Sequence, residues 1–292
     1  MGTAGQEPWT VLRLLNWTKE HFTRVGVDSP RLTAEVLLAH VLDCLRIELY
    51  ARYAEVPAEA DRSALRDLVR RAAAHEPAAY LVGYKEFYSL RLAVTPDVLV
   101  PRSETELIVT HAAAHLRRGG AGRTAWDACT GSGCVAIALA RQVADVRVLA
   151  TDVSPAAVAL AERNAADHGL ADRVRCMEAD LLTRPAADGL PERFDVVTVN
   201  PPYVACGDEV SPAVRHEPAM ALYAGPDGLD AIRRIVAQAP GVLAPGGALV
   251  MEFGHTQADA VRDLIARSGA FDEPKILRDH QNIERTAVAV RR

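Results

Sequence analysis

The amino-acid sequence predicts an α/β protein in three parts: a small helical bundle, a β-hairpin and a larger domain built on a parallel sheet. Apolar residues recur with helical spacing up to about residue 78, which predicts the bundle. Aromatic and β-branched residues then alternate with polar ones, as in a hairpin. From residue 104, strand-like and helix-like segments alternate, which is typical of a parallel sheet covered on both faces. We therefore predict domains over residues 1–78, 79–103 and 104–292.

The predicted bundle contains three amphipathic segments, of which the second has the clearest start. Ser29 is predicted to cap its N-terminus, and Pro30 occupies the first helical position, where a missing N–H costs nothing. Its apolar stripe is formed by Leu38, Val41, Leu42 and Leu45. This spacing places the four side chains on one face, so the segment is predicted to be a helix packed against its neighbours.

Composition limits the classes of function. The chain has a formal charge of −5 and 49% hydrophobic residues, and no apolar run reaches the roughly 18 residues that span a bilayer. The acidic balance disfavours a nucleic-acid partner, because proteins that bind nucleic acids usually carry a basic excess. The five cysteines form no C-x-x-C pair, so neither a disulfide framework nor a metal site is predicted. We predict a soluble cytoplasmic protein that does not bind a membrane.

The larger domain is predicted to contain six strands with helices between them. The strand segments are TAWDACT, VRVLATD, VRCMEAD, FDVVTVN, ALVMEFG and TAVAVRR. The helical segments begin at TGSGCV, SPAAVA, GLDAIR and TQADAV. Ligands of parallel sheets bind beyond the carboxyl ends of the strands, so the residues that follow each strand are the candidates for a binding site.

A glycine-rich turn and two acidic residues follow the first three strands. Gly131 and Gly133 allow a sharp turn beside the unpaired N–H groups of the next helix. Asp152, roughly 20 residues further on, is placed to accept hydrogen bonds from ribose hydroxyls. Asp180 is placed to face an adenine amino group, and the alternative for it is an acidic residue of a solvated turn. These residues leave both NAD and S-adenosylmethionine open, because the G-x-G-x-x-G pattern of dinucleotide sites is only partly present. No P-loop lysine follows, which disfavours nucleoside triphosphates.

The sequence after the fourth strand, NPPY, favours S-adenosylmethionine. Asn200 is expected at the carboxyl edge of the sheet, where its side-chain oxygen and the Pro201 carbonyl can both accept hydrogen bonds from one planar NH2 group. Such a pair of acceptors directs the nitrogen lone pair toward an electrophile, and the prolines hold the acceptors in place. Tyr203 is predicted to stack on the planar substrate. We therefore predict N-methylation, with Asn200, Pro201 and Tyr203 as the catalytic residues.

These motifs carry a resemblance over nearly the whole chain. The matching segments are SPRLTAEVLLAHVL, HEPAAYLVGYKEFYSLRLAVTPDVLVPRSETE, TGSG, ATDVSP, NPPY, HEPAMALYAGPDGL and LAPGGALVMEFG. With them the sequence resembles the release-factor glutamine methyltransferase family. The resemblance implies a helical domain that docks a protein substrate, a hairpin linker and a Rossmann-like, seven-stranded class I methyltransferase domain. It also implies transfer of a methyl group from S-adenosyl-L-methionine to the glutamine amide in the Gly-Gly-Gln loop of peptide chain release factors.

The resemblance also implies further site residues. The cofactor-binding residues predicted by it and by the strand-end pattern are Thr130, Gly131, Gly133, Asp152, Val153, Asp180 and Asn200. The implied substrate-binding residues are Arg102, Glu104, Pro202, Tyr203 and Glu217. Thr105 is expected to border the active site as well. For Glu104 an alternative interpretation is an acidic residue that stabilises a helix N-terminus.

Three positions depart from the pattern of this family. Ser103 stands where the family usually has proline, and Cys129 where it has glycine. Asn282 takes a glycine position between Asp279 and Arg285. These changes leave a second interpretation open, a paralogue that methylates a guanidine, amide or amine of a small molecule such as free arginine. Two further alternatives are a binding module without turnover, which the intact NPPY argues against, and a nucleic-acid adenine methyltransferase, which the acidic balance disfavours.

Overall fold

The computed structural model of the protein describes residues 8–119 and 123–292. Residues 1–7 of the predicted first domain and residues 120–122 of the third lie outside the described residues. The chain divides into two compact units. One comprises Met1–Gly83 and Ser211–His216, and the other comprises Tyr84–Val210 and Glu217–Arg292. The larger unit therefore contains both the hairpin and the sheet.

The smaller unit is helical, as the sequence predicts. Its helices are α1 (Val11–Val25), α2 (Pro30–Val41), α3 (Glu48–Ala51), α4 (Glu59–Ala73) and α5 (Ala78–Val82). Its buried apolar side chains include Phe22, Leu37, Leu38, Leu49, Leu65, Val69 and Leu81. Gly26 ends α1 in the left-handed conformation, which glycine adopts without a steric penalty. Each of these helices thus buries at least one apolar side chain.

The start and the end of α2 differ from the prediction. Ser29 has a left-handed backbone, with φ at 46°, and its side chain makes no capping hydrogen bond. A capping hydroxyl needs an extended backbone at its own position, so the predicted Ser29 cap is wrong. Thr33 instead donates its hydroxyl to the Asp28 carbonyl. The helix also ends at Val41, and Leu45, predicted to lie on its apolar stripe, is 68% exposed.

The hairpin consists of β1 (Tyr84–Phe87) and β2 (Leu90–Ala93), which pair antiparallel. The two residues between the strands, Tyr88 and Ser89, have φ values of 51° and 61°. A two-residue turn with both residues at positive φ matches the right-handed twist of the paired strands. Residues 79–82 of the predicted linker belong to α5 and not to the hairpin.

The larger unit is built on a seven-stranded sheet, which confirms the predicted fold class. Its strands are β3 (Thr124–Ala128), β4 (Arg147–Asp152), β5 (Val174–Glu178), β6 (Phe194–Val199), β7 (Leu243–Glu252), β8 (Lys275–Arg278) and β9 (Glu284–Val290). Their order in space is β5-β4-β3-β6-β7-β9-β8. The first five are parallel, and β9 runs antiparallel to β7 and β8. The edge strand β8 was not predicted, because four residues give too short a pattern to recognise.

Helices cover both faces of this sheet. They are α6 (Glu106–Leu116), α7 (Cys134–Gln142), α8 (Pro155–Asp167), α9 (Asp230–Val242) and α10 (Ala258–Ser268). Helices α6, α7 and α8 pack on one face, and α9 and α10 pack on the other. On the second face Trp126 is fully buried with its ring centroid 5.3 Å from that of Phe194. Its indole N–H donates to the Thr151 hydroxyl over 2.8 Å, so the one polar group of this side chain is satisfied.

In residues 8–119 and 123–292, no helix is long and apolar enough to cross a membrane. Within the same ranges, no three His, Cys, Asp or Glu side chains come together as ligands for a metal ion. The five cysteines are free thiols.

The backbone accommodates the three departures from the family pattern. Cys129 and Asn282 have φ values of 55° and 64°, in the left-handed region where glycine is unstrained and asparagine is well tolerated. Asn282 lies in the turn between β8 and β9, where its N–H donates to the Asp279 carbonyl over 2.9 Å. Arg102 has an extended backbone, after which either proline or the observed Ser103 can follow. Ser103 and Asn282 are therefore compatible with the backbone, whereas Cys129 has a left-handed conformation that glycine would adopt with less strain.

Replacing Asn282 by alanine is expected to lower the free energy of unfolding by about 1 kcal/mol, because a β-carbon without a compensating polar group is strained at this φ. Asn282→Gly is the matched control, and its effect is expected to stay below about 0.5 kcal/mol. Urea unfolding followed by circular dichroism measures both. Equal stability of the alanine variant and the wild type would contradict the assignment of this position to a glycine-like turn.

Candidate active site

The carboxyl ends of five parallel strands meet along one edge of the sheet. Strand β3 lies between β4 and β6, so the chain continues toward β5 on one side and toward β7 on the other. A parallel sheet opens a crevice at such a switch point. A cavity of about 310 Å³ lies at these strand ends. The predicted site residues that line it are Thr105, Thr130, Gly131, Asp152, Val153, Asp180, Asn200 and Pro202.

Asp152 ends β4 and braces the glycine-rich turn that follows β3. Its Oδ2 accepts a hydrogen bond from the Gly131 N–H over 2.9 Å, and its Oδ1 accepts one from the Ser154 N–H over 3.0 Å. Burial raises the pKa of the Asp152 carboxyl, although the backbone N–H donors act in the opposite direction. Each oxygen keeps a second lone pair, so the carboxylate can still accept hydrogen bonds from two hydroxyls of a ligand.

Gly133 is required by helix packing and does not reach the cavity. It precedes α7 with φ at 81° and is not among the described residues that line the cavity. A Cβ at this position would lie 3.1 Å from the Cβ of Ala161 and 3.3 Å from its Cα, in the neighbouring helix α8. At Gly131, by contrast, a Cβ would have no heavy atom of the described residues within 4 Å. The structure therefore separates the two predicted glycines into one at the cavity and one between helices.

Asp127 lies beneath the glycine-rich turn and joins it to β6. Its Oδ2 accepts from the Thr130 hydroxyl over 2.6 Å, and its Oδ1 accepts from the Thr198 hydroxyl over 2.7 Å. Burial raises the pKa of this carboxyl to about 6. The sequence pattern places Asp127 at a strand end but predicts no role for it. Its two bonds hold the turn against the strand that leads to Asn200.

Asp180 follows β5 and already has a cationic partner. Its Oδ2 accepts a hydrogen bond from Arg234 over 2.6 Å, and both side chains are about half exposed. Both residues also line the cavity. The adenine amino group that is predicted to contact Asp180 would therefore share its carboxylate with the Arg234 guanidinium. Exposed ion pairs of this kind contribute little to stability, so the carboxylate remains available.

Asn200 directly follows β6 and lies on the cavity wall. Its Nδ2 donates a hydrogen bond to the Thr105 hydroxyl oxygen over 3.2 Å. No described residue donates a hydrogen bond to Asn200 Oδ1 or to the Pro201 carbonyl oxygen. Pro201 is buried and does not line the cavity, whereas Pro202 does. Asn200 Oδ1 is thus an acceptor on the cavity wall, whereas the Pro201 carbonyl belongs to a residue that does not line the cavity.

Thr105 and Glu252 connect the Asn200 side chain to the protein interior. Thr105 donates its hydroxyl to Glu252 Oε2 over 2.7 Å. Glu252 is the last residue of β7 and is 1% exposed, and burial raises the pKa of its carboxyl to about 6. Sequence reasoning missed Glu252, although it ends a predicted strand. The rule that ligands bind at the carboxyl ends of strands would have found it.

Tyr203 occupies a different place from the predicted one. It is not among the described residues that line the cavity, and its hydroxyl donates to Glu252 Oε1 over 3.1 Å. Burial raises the pKa of this hydroxyl. Its carbonyl accepts from Gln257 Nε2 over 3.0 Å, and a Cβ at Gly228 would lie 2.3 Å from the same carbonyl oxygen. The Tyr203 hydroxyl is thus held by Glu252, and stacking of its ring on the substrate stays a prediction.

Three predicted substrate residues also lie off the cavity wall. Glu217 is buried, forms an ion pair with Arg102 and accepts a hydrogen bond from the Val100 N–H over 3.2 Å. Burial raises the pKa of the Glu217 carboxyl, and the Arg102 charge acts in the opposite direction. Glu104 accepts from the Ser103 hydroxyl over 3.0 Å. The Glu217 carboxylate therefore holds the backbone that leads to Thr105.

Comparison with known proteins gives matches over both parts of the chain. Residues 13–83 match the family described as PrmC N-terminal domain, and residues 103–217 match the methyltransferase small domain. The release factor glutamine methyltransferase of Rhodopirellula baltica is 40% identical over 97% of this chain and 97% of its own length. That of Geobacter sulfurreducens is 41% identical over 92% of this chain and 93% of its own length.

A solved structure supports the fold. The catalytic domain of hMettl16, in complex with the MAT2A 3′UTR hairpin 6, covers 75% of this chain and 81% of its own with a TM-score of 0.55. Its sequence identity to this chain is 18%, so the likeness concerns the fold alone. The fold of this chain is thus similar to that of the hMettl16 catalytic domain.

Proposed function

Because the chain belongs to the release factor glutamine methyltransferase family, we propose that it methylates the glutamine side chain in the Gly-Gly-Gln loop of a peptide chain release factor, with S-adenosyl-L-methionine as methyl donor. The observation that carries this proposal is the Asn200 side chain on the cavity wall. Its Nδ2 is bound to Thr105, and its Oδ1 receives no hydrogen bond from a described residue. A planar NH2 group is the kind of ligand group that such an acceptor fits.

The cavity residues fit the proposed methyl donor. Asp152 keeps lone pairs for two ribose hydroxyls, and Val153 and Asp180 lie on the same wall for an adenine ring. When bound, S-adenosylmethionine supplies an electrophilic methyl group on a positively charged sulfur. The carboxylates of Asp127 and Asp152 around the cavity complement a cationic ligand. Thr130 and Gly131 contribute the turn that carries the ligand-facing backbone.

In the proposed reaction, Asn200 Oδ1 and the Pro201 carbonyl accept hydrogen bonds from the two N–H groups of the glutamine amide. An amide nitrogen is a weak nucleophile, because its lone pair is delocalised into the carbonyl group. Two fixed acceptors orient the nitrogen toward the methyl group, and the proline backbone limits the entropy lost on alignment. The methylated nitrogen then loses one proton to water, so the chain need not provide a general base.

The helical domain, residues 1–78, is proposed to dock the release factor. The match of residues 13–83 to the PrmC N-terminal domain supports this assignment. Residues 79–103 are proposed as the linker, and residues 104–292 as the methyltransferase domain. Arg102, Glu104 and Glu217 are proposed to border the substrate path, because the ion pair between Arg102 and Glu217 positions the backbone before Thr105.

Mass spectrometry on the purified protein tests the proposal directly. The protein is incubated with S-adenosylmethionine and either a release factor or a panel of free amino acids that includes glutamine and arginine. We expect a mass gain of one methyl group on the peptide that contains Gly-Gly-Gln. A release factor with alanine in place of that glutamine is the matched control and should gain nothing.

The same experiment decides the alternative of a small-molecule acceptor. A mass gain on a free amino acid, with none on the release factor, would overturn the protein acceptor and leave the N-methyltransferase chemistry in place. No gain in any reaction, while calorimetry shows binding of S-adenosylmethionine, would favour a binding module without turnover.

A further inference from the structure

A series of two hydrogen bonds connects Glu252, at the end of β7, through Thr105 to Asn200, which follows β6. Glu252 accepts from the Thr105 hydroxyl over 2.7 Å, and the Thr105 oxygen accepts from Asn200 Nδ2 over 3.2 Å. Glu252 and Thr105 are 1% and 2% exposed, so bulk water does not compete for their polar groups. This series of hydrogen bonds ends at Asn200, whose Oδ1 accepts a hydrogen bond from the substrate NH2 group in the proposed reaction.

The Glu252 carboxylate determines which atom donates and which accepts in both hydrogen bonds of this series. An ionised carboxylate can only accept, so the single hydrogen of the Thr105 hydroxyl points to Glu252. The Thr105 oxygen therefore presents only lone pairs to Asn200. These lone pairs can accept a hydrogen bond from the carboxamide NH2 group, but they cannot donate one to the carboxamide oxygen. Asn200 Oδ1 is therefore turned away from Thr105.

We propose that Glu252 is a positioning residue for methyl transfer: acting through Thr105, it fixes the Asn200 carboxamide so that its oxygen faces the acceptor nitrogen. The inference rests on the proposed function, because it takes the acceptor to be a planar NH2 group. With the Asn200 carboxamide reversed, two NH2 groups would face each other. The substrate amide would then lose one of its two acceptors.

Tyr203 explains why position 252 needs a carboxylate. Its hydroxyl donates to Glu252 Oε1, while the Thr105 hydroxyl donates to Oε2. A carboxamide or a protonated carboxyl accepts at one of these positions and donates at the other, so only one of the two hydroxyls could still donate its hydrogen to residue 252. The charge of Arg285 favours the ionised form of Glu252, and that of Glu104 opposes it. With a pKa of about 6, the carboxyl is ionised at neutral pH.

The decisive variant is Thr105→Val, which removes the hydroxyl and keeps the shape of the side chain. Its kcat on the release factor is expected to fall roughly 10- to 100-fold, because the productive orientation of Asn200 now leaves a buried NH2 group unpaired. The KM for the release factor and the Kd for S-adenosylmethionine are expected to stay within about threefold of the wild type. Glu252→Ala, which leaves the Thr105 hydroxyl without its acceptor and free to donate to Asn200, should reproduce this loss of kcat.

Two matched variants separate the hydrogen bond from the packing. Thr105→Ser keeps the hydroxyl and should recover most of the lost kcat. Thr110→Val makes the same substitution at an exposed position of α6 and should behave as the wild type. If Thr105→Ser and Thr105→Val lose the same activity, or if Thr105→Val retains the wild-type kcat, the positioning role is overturned.

A second readout does not depend on activity. Hydrogen exchange of the Asn200 NH2 group can be followed by NMR on protein labelled at asparagine nitrogen, with Asn200→Asp to identify the resonance. We expect slow exchange in the wild type, where the group faces Thr105, and fast exchange in Thr105→Val, where it turns to the cavity. Equal exchange rates would overturn the inference. A wild type inactive on release factors would overturn the proposed function alone, since exchange still reports the orientation.

Discussion

The Asn200→Ala protein is expected to lose nearly all methyl transfer while it still binds S-adenosylmethionine. The substitution removes one of the two acceptors proposed for the substrate NH2 group. Loss of one preorganised hydrogen-bonding group in a water-excluding site typically lowers kcat by about 10²- to 10³-fold. Asp152 and the glycine-rich turn remain, so the Kd of the methyl donor should change by less than about threefold. Mass spectrometry of the product and titration calorimetry measure the two quantities separately.

Gln142→Ala is the matched control for this variant, because Gln142 is an exposed carboxamide at the end of α7 and is not among the described residues that line the cavity. It should leave the transfer rate at the wild-type value. A near-full rate in Asn200→Ala would remove the mechanism in which Asn200 holds the acceptor amide. Parallel losses of rate and of donor affinity would instead assign Asn200 to binding of the methyl donor.

The Asp152→Ala protein is expected to bind S-adenosylmethionine about 100-fold more weakly. Two hydrogen bonds from ribose hydroxyls to a carboxylate would be lost, each contributing about 1.5 kcal/mol or more, and about 1.4 kcal/mol corresponds to a factor of ten in Kd. Calorimetric titration with the methyl donor measures the effect. An unchanged affinity would rule out the proposed ribose contact of Asp152.

A deoxyribose analogue of the methyl donor provides the control for Asp152. The carboxylate also accepts from the Gly131 and Ser154 N–H groups, so its removal can disturb the turn. If Asp152 binds the ribose hydroxyls, the wild type and Asp152→Ala should bind the analogue with similar affinity. An equal loss for both ligands would assign the effect to the turn.

The architecture of the larger unit was predictable because two periodicities and one geometric rule determine it. Alternating strands and helices predict a parallel sheet, and the carboxyl ends of such strands share one edge. Asp152, Asp180 and Asn200 lie at the ends of three different strands and line the same cavity. Their shared location could be predicted without any knowledge of side-chain contacts. The family resemblance added the seventh strand, which its own four-residue pattern does not reveal.

The orientation of side chains was not predictable in the same way. Thr105 and Glu252 are 147 positions apart in the chain, and their contact depends on how α6 and β7 pack. The same holds for Tyr203, whose aromatic ring suggested stacking but whose hydroxyl is held by Glu252. Gly133 resembles a ligand-binding glycine in sequence, and only the proximity of Ala161 shows that it serves helix packing. Local sequence patterns therefore predict where a residue lies in the fold, but they do not predict which side chains it contacts.

The burial of Trp126 makes the two units of the chain optically distinguishable. The chain has three tryptophans, and Trp126 is the one in the larger unit, whereas Trp9 and Trp17 belong to the helical unit. Trp17 is 44% exposed and should emit at long wavelength, while the fully buried Trp126 should emit at short wavelength. With Trp9 and Trp17 replaced by phenylalanine, intrinsic fluorescence would report the sheet alone. Because Trp126 packs on the face of the sheet that α9 and α10 cover, the same signal would report the loss of that packing when the sheet unfolds.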